Sequence, residues 1–144
     1  MTEVAFHFNA PDKLAYACRF ARKVLRSGAR LVIVGPDDTL EQLDSRLWTL
    51  LLHDFVAHCR QDASPELLQA SPVILASDPQ AVPHHDVLLN LGSAVPEGFA
   101  QYGKLVEVVS SHDAGDRAEA RARWRLYTAQ GYAIVRHDLV LKGE

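Results

Sequence analysis

Three arginines surround one tryptophan in ARARWRLYTAQGY, residues 120–132, and Arg117 lies one helical turn upstream. On a helix, at about 100° per residue, Arg117, Arg121 and Arg125 follow at i, i+4 and i+8. They form a ridge, with Trp124 flanking it and Tyr127 beside the tryptophan. Like charges at this spacing repel unless an anion is close. A merely solvated face would need Asp113, Asp116 or strand residues to offset them. Guanidinium groups grip carboxylates bidentately, and arginine with an exposed aromatic is the composition of a binding hot spot. The set suits an acidic peptide that ends in a hydrophobic residue with a free carboxylate. It also suits single-stranded nucleic acid, through phosphate contacts and base stacking. The net charge of −3 favours the peptide. The same wheel puts Ala118, Ala122, Leu126 and Ala129 toward the core and turns Arg123 toward Glu119.

Other chemistries have less behind them. His53, His58, Cys59 and Asp62 cluster, and His84, His85 and Asp86 are contiguous. The H-x4-H-C spacing is no zinc pattern, and no CxxC pair occurs. These histidines are therefore expected on surfaces or in loops, and no metal is expected. This cluster is all that supports a small-molecule enzyme. Ser110, Ser111, His112 and Asp113 resemble a triad in composition, but a triad is assembled in space. They read better as a strand end running into a helix cap. No G-x-G-x-x-G follows the first strand (FNAPDKLA) or the second (VGPDDTL), and no G-x-x-x-x-G-K-[ST] occurs. The sequence thus points to no nucleotide, no cofactor and no catalytic residue.

The elements that must position these residues follow from the hydropathy pattern. A chain of 144 residues, 48% hydrophobic and 23% charged, is that of one ordinary globular domain, 1–144. A pI near 6.1 argues against general nucleic-acid affinity. No apolar run is long enough to span a membrane and no signal peptide is evident. A cytoplasmic location and free thiols at Cys18 and Cys59 are expected. VAFHFN (4–9) alternates as a strand does. Asp12 caps a helix that runs to about Ser27, with Leu14, Cys18, Ala21 and Leu25 on its buried face and Gly28 as its stop. RLVIVG, PVILAS, DVLLNLG and KLVEVVS read as buried strands. Between the first two lies a helix over PDDTLEQLDSRLWTLL, capped by Asp38 or Thr39. DFVAHCR (54–60) is a short strand or loop, SPELLQA (64–70) carries a weak signal, and DPQAVPHH is a loop. A helix spans about Asp113 to Gln130, and YAIVRHDL (132–139) is a last strand. Strands alternating with helices predict an α/β Rossmann-like three-layer domain with a mainly parallel central sheet.

Four segments then carry a resemblance: LDSRLW (43–48), FVAH (55–58), DVLLNL (86–91) and RARWRLYTAQGY (121–132). In this order and spacing they are similar to the chi subunit of bacterial DNA polymerase III, over nearly the full length. One departure is Ala57, where the family often has proline. The stretch from Cys59 to Ser71 matches poorly and nothing is drawn from it. The resemblance implies a Rossmann-like fold without nucleotide binding, and no enzymatic activity. It implies a replisome adaptor that contacts DNA only indirectly. One partner would be the acidic C-terminal tail of single-stranded DNA-binding protein, ending in Pro-Phe and held by Arg117, Arg121, Trp124 and Arg125. The other would be the psi subunit, in a 1:1 heterodimer that leads to the clamp loader and is faced by Trp48 and Phe55. On the residues alone, Trp48 and Phe55 read equally as core. Direct single-stranded nucleic-acid binding by the arginine helix is the alternative function.

Overall fold

The computed structural model describes residues 1–49 and 56–140. Along the chain run β1 (Glu3–Ala10), α1 (Lys13–Ser27), β2 (Leu31–Val34), α2 (Asp37–Trp48), β3 (His58–Arg60) and α3 (Pro65–Ala70). Then follow β4 (Val73–Ala76), β5 (Val87–Asn90), a 3-10 turn at Phe99–Gln101, β6 (Lys104–Ser110), α4 (Ala114–Ala129) and β7 (Ile134–Asp138). The described strands form one sheet in the order β3-β4-β2-β5-β6-β1-β7. Every pairing is parallel, as in β1 with β6 and β7 and β2 with β4 and β5. The expected α/β architecture is therefore present, with the sheet wholly rather than mainly parallel.

Strand residues alternate between two apolar layers, one on each face, as the pleat requires. Leu31, Ile33, Val73, Leu75, Val106 and Val108 pack with α1 and α2. Val32, Ile74, Leu88, Leu105 and Val109 pack with Phe99 and with Ala120 and Tyr127 of α4. Burial on both faces is why these strands read as continuous apolar runs. Cys18 belongs to the first layer and Cys59 to the second, so the sheet separates the two thiols.

Local signals explain most of the helix ends. Asp12 accepts a hydrogen bond from the Ala15 N–H at 3.1 Å, and Gly28 closes α1 at φ 81°. The buried face of α1 is wider than expected: Tyr16, Ala17, Phe20 and Val24 join Cys18 and Ala21, while Leu14 and Leu25 are only partly buried. In α2 the expected Asp38 or Thr39 cap is not used. The helix starts at Asp37 after Pro36, whose extended backbone sets the entry, and no side chain caps it. Asp37 and Asp38 instead lie in the first turn, where the helix dipole favours negative charge. The weak SPELLQA signal is a real helix, with Ser64 capping the Leu67 N–H and Pro65 in the first turn.

The largest correction concerns the rotation of α4. Ala118, Ala122 and Ala129 are exposed rather than buried, and Leu126 is 51% exposed. The buried residues are Ala120, Arg123 and Tyr127. The cause is Glu107, which points from the middle of β6 into the α4 side of the sheet and is fully buried. Its carboxylate needs donors, and only this rotation supplies them. The Arg123 Nε donates to Glu107 Oε1 at 3.0 Å, and the Tyr127 hydroxyl donates to Oε2 at 2.5 Å. Asn90 Nδ2 donates to both oxygens at 3.1 Å. Arg123 also reaches the Ser93 carbonyl at 2.8 Å. Burial pushes the Glu107 carboxyl above its usual range, against the pull of the Arg123 guanidinium and of the hydrogen bonds from Tyr127 and Asn90. Burial and the Glu107 carboxylate together push the Tyr127 phenol far up.

Removing one partner of a buried ion pair leaves the other uncompensated, at a cost of about 3–5 kcal/mol. Glu107→Ala is expected to lower the unfolding free energy by that amount in urea denaturation. Replacing Glu107 and Arg123 together with leucine and methionine is expected to cost much less. An equal loss in the single and double variants would contradict this account.

Candidate functional site

The rotation of α4 places Arg117, Arg121, Trp124 and Arg125 along one cleft of about 480 Å3. All four residues expected to act together do lie together. The β1 side chains Phe6 and Phe8 share one strand face and form an aromatic floor. The Trp124 ring packs on Phe6 with centroids 5.0 Å apart, and Phe6 in turn meets Tyr127 at 6.0 Å. Trp124 is half-buried: one side of the ring is anchored, the rest borders the cleft.

A backbone irregularity shapes the upper end. Asn9 adopts φ 68°, and the pairing of β1 with β6 shifts register between His7 and Ala10. Asparagine tolerates this left-handed conformation better than most side chains. Such a bulge re-aims the residues around it, here Phe8 and Asn9 into the cleft. Asn9 is held in turn by a 3.0 Å hydrogen bond from its Nδ2 to Asp138.

The acids that a merely solvated face would need are engaged elsewhere. Asp113 caps α4 through the Asp116 N–H. Asp116 pairs with Lys13 at 2.7 Å and accepts the Ser110 N–H at 2.8 Å. Arg117 has only a long contact, 3.4 Å, to the Ser111 carbonyl. Among the described residues no carboxylate pairs with Arg117, Arg121 or Arg125, and none lines the cleft. The result is a cationic groove with an aromatic floor, suited to an anion that carries an apolar group.

The remaining candidates separate. Trp48 ends α2, is 61% exposed, and packs against the His58 ring at 5.1 Å. Since His58 lies on β3 and the cleft borders β7, the two places sit at opposite edges of the sheet. Phe55 and His53 lie outside the described residues. His84 lies in a loop, as expected, though buried there, whereas His58 is on β3 and is neither a surface nor a loop residue. The His58 side chain is fully buried, 2.9 Å from Asp44 and 2.7 Å from the Val56 carbonyl. His84 is buried against Arg30. Among the described residues no group of three or more histidines, cysteines and acids is placed to hold a metal. Ser110 accepts the His112 and Asp113 N–H groups, which makes that stretch a strand end and helix cap. The crevice where parallel sheets bind nucleotides, at the carboxyl ends of β2, β4 and β5, holds about 430 Å3. Asp78 and Glu97 line it with no lysine or arginine, so it does not favour phosphate. No described helix is long and apolar enough to cross a membrane.

Sequence reasoning missed Arg136 of β7, Phe6 and Phe8, all of which line the cleft. The phenylalanines were detectable as alternate residues of VAFHFN, and Arg136 as the cation inside YAIVRHDL. Because Arg121 and Arg125 are exposed and make no ion pair among the described residues, Arg121→Ala and Arg125→Ala are expected to leave the urea midpoint unchanged within error. A marked drop would make the ridge structural.

Comparison with known proteins shows the family and the fold. Residues 1–135 match the family model of the DNA polymerase III chi subunit, HolC. The chain is 30% identical to the DNA polymerase III subunit chi of Pseudomonas aeruginosa, covering 96% of this chain and 98% of that protein. The C-terminal domain of the DEAD-box protein Dbp5 shares the fold, with a TM-score of 0.60 at 12% identity over 96% of this chain and 90% of that one. The chain belongs to the chi-subunit family of DNA polymerase III, and so to the accessory subunits of DNA replication.

Proposed function

We propose that this chi-family chain is a single-domain, non-catalytic adaptor that docks the acidic C-terminal tail of single-stranded DNA-binding protein in the cleft beside α4. Through the surface around Trp48 it joins the psi subunit, and through psi the clamp loader. The observation that carries the reading is the cleft itself: Arg117, Arg121 and Arg125 beside Trp124, over Phe6 and Phe8, with no carboxylate in the lining. An acidic peptide ending in Pro-Phe has the complementary parts. Its acids meet guanidinium groups, and its terminal ring meets an aromatic floor. Trp48 supports the second contact, as a large aromatic left 61% exposed far from the cleft.

A fluorescence-anisotropy titration with a short acidic peptide ending in Pro-Phe tests the first contact. Binding is expected to need the final Phe, to weaken as salt rises, and to fall at least about tenfold in Arg121→Ala, the loss of one charge-assisted contact. Equal binding of the peptide without Phe would remove the cleft from the reading. Tight, sequence-independent binding of an oligonucleotide in the same assay would favour the nucleic-acid alternative, for which Trp124 offers a stacking surface.

The second contact has its own test. Trp48→Ala is expected to abolish co-purification with the psi subunit while leaving peptide affinity unchanged. Retained co-purification would place the psi contact elsewhere.

A further inference from the structure

Trp48 stands at the end of α2, largely exposed, and what lies against it is polar. His58 pairs in register with Val73, a residue of the apolar layer that α2 covers, while its neighbour Cys59 belongs to the opposite layer. The imidazole therefore enters the space under α2, where the side chain is fully buried. A polar ring is stable there only if its nitrogens find partners. Nδ1 lies 2.7 Å from the Val56 carbonyl, and Nε2 lies 2.9 Å from the Asp44 carboxylate. Rotation about the Cβ–Cγ bond would break both hydrogen bonds, so the ring is held in one orientation.

Asp44 and Trp48 are four residues apart on α2 and so share one face of the helix. The buried ring touches that face twice. Asp44 holds its edge, and the Trp48 indole packs on it with centroids 5.1 Å apart and planes tilted by 58°. A fixed platform limits the tilts that the indole can take. Without one, an exposed side chain changes rotamer in picoseconds to nanoseconds. A partner that covers such a side chain must stop the motion, at a cost in affinity. His58 has no exposed side-chain surface for a partner to touch, so its effect on docking passes through Trp48. Resting on the psi contact proposed above, we propose that His58 is a positioning residue of that surface: anchored by Asp44 and Val56, it presents the Trp48 indole to the partner in one preformed orientation.

The chain has two tryptophans, so Trp124→Phe leaves Trp48 as the only reporter. Time-resolved fluorescence anisotropy in that background is expected to show Trp48 turning with the whole protein. His58→Leu, which keeps a buried side chain but neither anchor, is expected to add a sub-nanosecond component. In the protein that retains Trp124, the same substitution is expected to weaken psi binding about two- to tenfold, the cost of ordering one freed side chain. Affinity for the acidic tail peptide should not change. Asp44→Ala removes one anchor and leaves the ring beneath Trp48, so it should move both readings part of the way. It carries the test alone if urea denaturation shows that His58→Leu does not fold. If Trp48 is as still in the variants as in the intact protein, His58 does not position it, and the psi contact stands without this role. If the indole is freed but psi binds as before, while Trp48→Ala loses psi, preordering plays no part and the proposal falls. If Trp48→Ala binds psi as tightly as the intact protein, the psi contact fails and the proposal with it.

Discussion

The buried pair of Glu107 and Arg123 is the constraint on which the site depends. A carboxylate in the middle of a buried strand has no solvent to turn to, so the element packed above it must bring donors. Helix α4 brings two of them at i and i+4, Arg123 and Tyr127. With Arg123 fixed inward, the other angles around the helix follow. At about 100° per residue, Tyr127 and Ala120 fall within about 60° of Arg123, and Trp124 about 100° away. Arg117 and Arg121 come next, at about 120° and 160° on the same flank. The tryptophan is thus brought to the rim of the sheet and the arginine ridge beside it. If the stripe of Ala118, Ala122, Leu126 and Ala129 faced inward instead, Trp124 would stand out in solvent, away from Phe6.

Such a pair is not chosen for stability alone. Taking two charges out of water costs several kcal/mol per ion, and a well-packed apolar pair of like volume often does as well. What an apolar pair lacks here is direction. The stripe of small residues on α4 would pack in several rotations with little difference in energy, since alanine has almost no side chain to interlock. The carboxylate removes that freedom: its oxygens accept from Arg123, Tyr127 and Asn90. The network also reaches the loop after β5, through Arg123 to Ser93 and through Asn90 to the Ala94 carbonyl.

The sequence was informative where one residue type had one reason to be there. Continuous apolar runs gave the buried parallel strands, and Asp12 with Gly28 bounded α1. The i, i+4, i+8 arginines with Trp124 marked the α4 wall of the cleft. The rotation of α4 was not legible by the same rule, because three alanines and a leucine outvoted a buried arginine and tyrosine on a hydropathy wheel. The signal was in another element: Glu107 alone among the apolar residues of KLVEVVS. Arg136 and Phe8 were visible as a cation and an aromatic, but their place in the site was not legible, for a different reason. They join the site only because β1 lies between β6 and β7, an order that the linear chain does not reveal. Phe55, part of the expected psi surface, lies outside the described residues.

That strand order also fixes how far apart the two exposed aromatic places can be. Six steps of about 4.8 Å across a seven-strand sheet separate its edges by about 29 Å. The cleft borders the β7 edge, while Trp48 packs on His58 of the β3 edge. Two ligands held at such edges do not collide, and neither must displace the other. The sheet between them is buried on both faces and parallel throughout, so it acts as a stiff spacer rather than a hinge. The adaptor role proposed above would need this more than a strong contact at either end. When two modest contacts are joined by a rigid body of fixed length, the second forms at high local concentration once the first is made.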